Sequence, residues 1–203
     1  SDNPVITAPK LLLQQLEILQ QFNQREEILA LPDGTVDITG ISGSDFQYNS
    51  LGAVKIIDTP DFGNYQVFYT GKRTGIPEKQ DLQIPRQHQD WLSALDKQLK
   101  LSELKPSAAA ETIQHYFQRN FRYSLYLGTE PDADLALRDF ILKRKAGHCE
   151  YFAAASVMLL RQAGIPARLA NGYVVEEYDP QQDLYVVRYR HAHAWAIAYY
   201  YGA

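Results

Sequence analysis

A chain of 203 residues, 45% of them hydrophobic, carries enough apolar material for one sizeable core or two small ones, as in an ordinary globular protein. Its formal net charge of −4 argues against a dedicated nucleic-acid binder, which carries a basic face, and no stretch approaches the ~18 consecutive apolar residues of a membrane-spanning helix. The opening SDNPVITAPK lacks the basic and apolar regions of a signal peptide, and a single cysteine excludes an intramolecular disulfide.

In chain order, residues 9–31 place Leu12, Leu16, Leu19 and Phe22 at helical spacing among Gln and Glu, predicting an amphipathic helix that Leu31-Pro32-Asp33-Gly34 ends. Residues 35–86 alternate short runs rich in Val, Ile, Tyr and Phe (TVDIT, AVKIID, YQVFYT, LQI) with Gly, Asp, Asn, Ser and Pro clusters, the pattern of short strands joined by turns. Helical texture returns at 86–99 and 107–120, the second run capped by Ser107 and holding Ile113, Tyr116 and Phe117 on one face. Phe121-Arg122-Tyr123-Ser124-Leu125-Tyr126 reads as a strand feeding a loop that contains Pro131, Asp132 and Asp134.

The clearest helix is 149–163, stopped by Gly164-Ile165-Pro166, and strands are expected at 167–175 and 184–201. Asp179 and Asp183 read as turn residues around Pro180. The organisation predicted is a helix plus short strands over 1–85, then helices followed by antiparallel strands over 86–203.

The chemistry concentrates in KAGHCEYFAAA, residues 145–155, where the only cysteine, Cys149, stands at the head of the clearest helix. Cysteine is nucleophilic as thiolate, and the free N–H groups and dipole of a first helical turn favour that form. A lone cysteine is more often a small buried hydrophobe. Here His148 and Glu150 flank it with polar side chains, pointing Cys149 at a cleft, which those two residues would line.

A cysteine nucleophile needs a base, usually histidine. His148 is adjacent in sequence, but neighbouring helical positions diverge by about 100°, which aims it poorly at the sulfur. His88 and His115 read as solvent-facing or satisfied histidines. In YRHAHAWAIAY a period of two sends His191, His193, Trp195, Ile197 and Tyr199 to one face and Ala192, Ala194, Ala196 and Ala198 to the other. The alanine face suits close packing on the Cys149 helix, so a bend or bulge near Arg190 or Ala194 is needed to turn His193 toward the sulfur. A zinc site from Cys149, His148, His191 and His193 is the weaker alternative, because H-C and H-x-H match no common structural spacing.

Three blocks carry a family resemblance: GHCEYFA at 147–153; LRQAGIPAR at 160–168 with Asn171-Gly172-Tyr173; and Ala192-His193-Ala194-Trp195. Together they resemble the bacterial transglutaminase-like superfamily, over roughly residues 105–200. The GHCEYFA form, with β-rich sequence ahead of the helices, is most similar to the extracytoplasmic domain of multi-pass membrane proteins. The resemblance implies a papain-like α+β fold, in which a nucleophile helix packs on an antiparallel sheet, and a Cys-His-Asp triad in that chain order.

Under it Cys149 is the nucleophile and His193 the base, and the aspartate is expected on a final strand after Ala203, unless the orienting group comes from elsewhere; Trp195 reads either as a shield or acyl-site wall or as a plain core aromatic. Arg168, Asn171 and Tyr173 match recurring positions without a catalytic role. The implied activity is acyl transfer through a thioester on protein or peptide amides, as a transglutaminase or as an amidase or protease, without cofactor. The resemblance further implies an extracytoplasmic location, with membrane attachment expected through segments absent from this chain. The competing reading is a non-catalytic binding or scaffold domain on the same fold.

Overall fold

The computed structural model describes residues 13–42, 45–49, 51–71, 75–126 and 133–200. Two compact units divide between Ile76 and Pro77.

The first unit is entirely β among the described residues. Strands β1 (Gln14–Gln21), β2 (Glu26–Ile28), β3 (Thr35–Thr39), β4 (Asp45–Tyr48), β5 (Val54–Ile57) and β6 (Phe62–Tyr69) form two antiparallel sheets, ordered β1-β6-β3 and β2-β5-β4. Their common core is Phe22, Leu29, Val54, Ile56, Tyr65 and Val67, with Ile18, Ile38 and Phe46 packed against it.

The helix expected over 9–31 is not there: residues 14–21 are β1, and 9–12 lie outside the described residues. Leu, Gln and Glu are good helix formers, but propensity is weak beside an eight-residue ladder running from Gln14↔Tyr69 to Gln21↔Phe62. Two-residue alternation brings Ile18 and Phe22 into the core and leaves Leu19 72% exposed. Gly63 makes room for Phe22, since a Cβ there would lie 2.6 Å from the ring. The runs TVDIT, AVKIID and YQVFYT become β3, β5 and β6, whereas LQI forms no strand.

The second unit begins with 3-10 turns at Lys79–Leu82 and Arg86–His88, then α1 (Gln89–Leu99), a 3-10 turn at Leu101–Glu103 and α2 (Pro106–Asn120). Lys105, rather than Ser107, is the N-cap of α2; Pro106 takes the first helical position, where its fixed φ fits and its missing N–H costs nothing. Ala109, Ile113 and Phe117, at spacings of four, bury one stripe.

Of residues 121–126 only Arg122–Tyr123 form a strand, β7. Pro131 and Asp132 lie outside the described residues, and Asp134 belongs to α3 (Ala133–Asp139) rather than to a loop. A π-turn at Phe140–Arg144 leads to β8 (Ala146–Gly147), parallel to β7, and then to α4 (Cys149–Gln162).

Helix α4 ends in a Schellman motif: Gly164, at φ 77°, donates to Arg161 O, and Ile165 donates to Leu160 O at 2.9 Å. Next come β9 (Ala167–Tyr173), the hairpin β10 (Glu177–Asp179) and β11 (Leu184–Val186), a 3-10 turn at Tyr189–His191, and β12 (Ala192–Ala198). The single strand expected over 184–201 is thus broken by a turn. Asp179 and Asp183 do shape the hairpin, Asp179 accepting from Gln181 N and Asp183 lying at φ 55°.

Helix α4 packs on β9 and β12, which pair antiparallel from Ala192↔Tyr173 to Ala198↔Ala167. The core joins Trp91, Leu92 and Leu95 of α1 and the α2 stripe to Phe140, Ile141, Ala155, Val157, Leu159 and Leu160, with Ala196 and Ala198 packed against it. The predicted small face of the last strand does meet the helix that carries the cysteine.

Candidate active site

The start of α4 is fixed from behind. Arg122 N donates to Lys145 O and Ser124 N to Gly147 O, both at 2.8 Å, so the backbone just before Cys149 is stitched to β7. Lys145 turns the chain at φ 51°, its ammonium 4.5 Å above the centre of the Phe121 ring. Phe117, Phe121, Phe140 and Phe152 form an aromatic nest with centroids 5.0–6.2 Å apart. Gly147 has no room for a side chain, because a Cβ would lie 3.0 Å from Phe140 and 3.1 Å from Tyr151.

From this seat His148 leaves in extended conformation as the N-cap, and Cys149 is the first helical residue, only partly buried. No side chain caps the helix. Helical first turns carry N–H groups without intrahelical partners, so this one offers donors to an incoming oxygen. Glu150, exposed in the first turn, has Oε2 3.7 Å from His148 Nδ1.

His193 lies on β12 opposite Gly172, exposed to solvent. Its ring stacks on Trp195 at 6.5 Å and 20°, and Trp195 in turn covers Gly172, where a Cβ would lie 2.9 Å from Cη2. Ala194 between them is buried. Among the described residues no hydrogen bond joins the Cys149 sulfur to an imidazole.

His191 does not share the face predicted for it. It closes the 3-10 turn before β12, buried, with Nδ1 accepting Arg188 N–H at 3.1 Å and Nε2 3.5 Å from Glu177 Oε2. A 3-10 turn lies at Arg190, directly ahead of β12, while the β9–β12 register runs without a shift past His193 and Ala194. His115 is exposed on α2, and buried His88 accepts from Trp91 Nε1 at 3.4 Å. Among the described residues no group of three His, Cys, Asp or Glu side chains is placed to hold a metal ion.

Arg168 has a structural partner that sequence reading missed. Its guanidinium grips Asp81 and lies 5.1 Å over the Tyr199 ring.

Residues 93–202 match the family model described as the transglutaminase-like superfamily. The chain belongs to that superfamily. Among curated proteins it is 33% identical over 118 residues to a protein-glutamine gamma-glutamyltransferase of Pseudomonas aeruginosa, covering 57% of this chain and 17% of that protein. It is 26% identical over 163 residues to the uncharacterized protein YebA of Bacillus subtilis, covering 69% of this chain and 22% of the relative. The chain thus spans roughly a fifth of the length of these relatives.

The crystal structure of the periplasmic domain of TgpA from Pseudomonas aeruginosa superposes with a TM-score of 0.68 at 22% identity, covering 92% of this chain and 65% of that one. The ethylmercury-bound form of the same domain gives 0.63 at 21% identity, over 91% of this chain and 72% of that one. These likenesses concern the fold: mixed helix and antiparallel sheet, here with α4 packed on the β9–β12 pair. Membership supports cysteine-based acyl transfer or hydrolysis as the chemistry of the superfamily.

Proposed function

We propose that this chain is the acyl-transfer domain of an extracytoplasmic protein anchored by segments outside it, with Cys149 as nucleophile, His193 as base and a protein or peptide amide as substrate. The Cys149 thiolate attacks the carboxamide carbon. The tetrahedral oxyanion is held by backbone N–H groups at the start of α4, among them that of Cys149. The C–N bond breaks as the His193 imidazolium gives its proton to the leaving amine, and an amine or water then resolves the thioester.

The observation that carries this reading is the seating of the only cysteine, partly exposed, at the first position of an uncapped helix whose preceding backbone is hydrogen-bonded to β7. The third triad member is expected on a strand after Ala203. His148, Glu150 and Trp195 line the site; the exposed Glu150 supports the helix dipole more than it helps a thiolate. The glutamyltransferase relative favours an amine as acceptor over water. The extracytoplasmic setting is supported by the periplasmic domain of similar fold.

A second reading, a binding or scaffold domain without catalysis, draws on the absence of a Cys149–histidine hydrogen bond among the described residues. In triad enzymes such bonds commonly tighten only with substrate bound. The two readings separate in a chain extended past Ala203, assayed for incorporation of a primary amine into a glutamine-containing protein and for ammonia release. Turnover that vanishes in Cys149→Ala with an unchanged melting temperature supports catalysis; turnover retained without the thiol rejects it.

A further inference from the structure

One carboxylate holds the turn that launches β12. Glu177 accepts from Arg188 Nε at 3.1 Å and Nη2 at 2.8 Å and from Arg190 Nη2 at 2.5 Å, and its Oε2 lies 3.5 Å from Nε2 of buried His191. Because His191 Nδ1 accepts the Arg188 N–H at 3.1 Å, a neutral His191 carries its proton on Nε2, toward Glu177. The His191 carbonyl accepts Val174 N–H at 2.9 Å, which ties the same turn to the end of β9. Arg188, Arg190 and His191 are therefore all gripped within five residues of His193.

We propose that Glu177 is a positioning residue for His193: by clamping Arg188 and Arg190 at the turn that buries His191 it fixes where β12 begins and so how the His193 imidazole is presented. This rests on the reading of Cys149 and His193 as the reacting pair. The side chains of Arg188 and Arg190 are 49% and 66% exposed, and ion pairs so open to water add little to stability. A forked carboxylate–guanidinium contact does, however, fix geometry. The arginines hold the Glu177 carboxyl below the usual carboxylate range, Arg188 foremost, so the clamp stays charged at neutral pH. The position of the turn matters because small displacements of a reacting group cost far more in rate than in stability.

The test uses this chain with Glu177→Ala and the isosteric Glu177→Gln, reading the iodoacetamide alkylation rate of Cys149 from pH 5 to 9 and the NMR resonances of the His193 ring. In Glu177→Ala the alkylation rate at pH 7 is expected to fall about tenfold, the pH profile to move toward that of free cysteine and the His193 signals to shift, with little change in melting temperature. Glu177→Gln, which keeps an acceptor oxygen, is expected to fall between. An activated thiol in the unmodified chain with unchanged alkylation and His193 signals in both variants overturns the positioning role and leaves the Cys149–His193 reading standing. An unactivated thiol in the unmodified chain overturns both.

Discussion

Arg168 grips Asp81 with two parallel hydrogen bonds, Nε to Oδ1 at 2.6 Å and Nη2 to Oδ2 at 2.8 Å, in a setting where the two residues are 8% and 1% exposed. Asp81 Oδ2 also accepts Glu78 N–H at 2.6 Å, and Arg161 donates to the carbonyls of Gln83 and Ala167. Two arginines thus bind residues 78–83 to the helix–strand core and place that segment in the second unit.

Removing one partner leaves an uncompensated buried charge. Arg168→Met should cost about 3–5 kcal/mol, whereas the double variant Arg168→Met/Asp81→Leu should recover most of the loss. Urea denaturation of the single and double variants measures both.

The same pair predicts an acid dependence. The hydrogen bonds from Arg168 lead in holding the Asp81 carboxyl below its ordinary value of 3.8. A depressed carboxylate pKa contributes stability that is fully present above the unfolded value and is lost as the pH falls through the folded one. Relative to the double variant, the unmodified chain should therefore hold a constant stability near neutrality and lose stability below pH 4. A difference independent of pH down to acid unfolding contradicts this.

Phe140 is fully buried at the centre of the aromatic nest and fills the space that Gly147 leaves open. Phe140→Ala should destabilise the second unit by about 3–5 kcal/mol and raise hydrogen exchange at residues 146–152 ahead of the rest of α4. Uniform exchange along the helix would show that the nest does not anchor the Cys149 turn.

Gly172 faces the Trp195 ring across the β9–β12 ladder. Gly172→Ala forces that ring to move and with it the stack on His193, at a cost of about 1–3 kcal/mol. A shift in tryptophan fluorescence accompanied by displaced His193 NMR signals is the expected result.

Legibility in the sequence followed how local each determinant is. Helix α4 was readable because both ends are punctuated, by the tight Gly147 seat and by the Gly164 Schellman turn. The alanine face of β12 was readable from its two-residue period. Strand β1 was not, since Leu, Gln and Glu at helical spacing hide a ladder whose partner, β6, lies about 50 residues on.

His191 shows the same limit within the site: alternation grouped it with His193, while the 3-10 turn buries it with Nε2 3.5 Å from Glu177. The Asp81–Arg168 pair joins positions 87 residues apart, and no spacing rule announces it. Cys149 itself stood out by being alone, but its relation to His193 depends on the face each strand and helix presents, which no run of residues encodes.

The measurement that bears most directly on the central claim is the pH profile of Cys149 alkylation in the unmodified chain against His193→Ala and His191→Ala. With Cys149 and His193 as the reacting pair, the thiolate should react well below the pH range of free cysteine, a profile lost in His193→Ala and kept in His191→Ala. A profile like free cysteine in the unmodified chain, or one indifferent to His193, would contradict it.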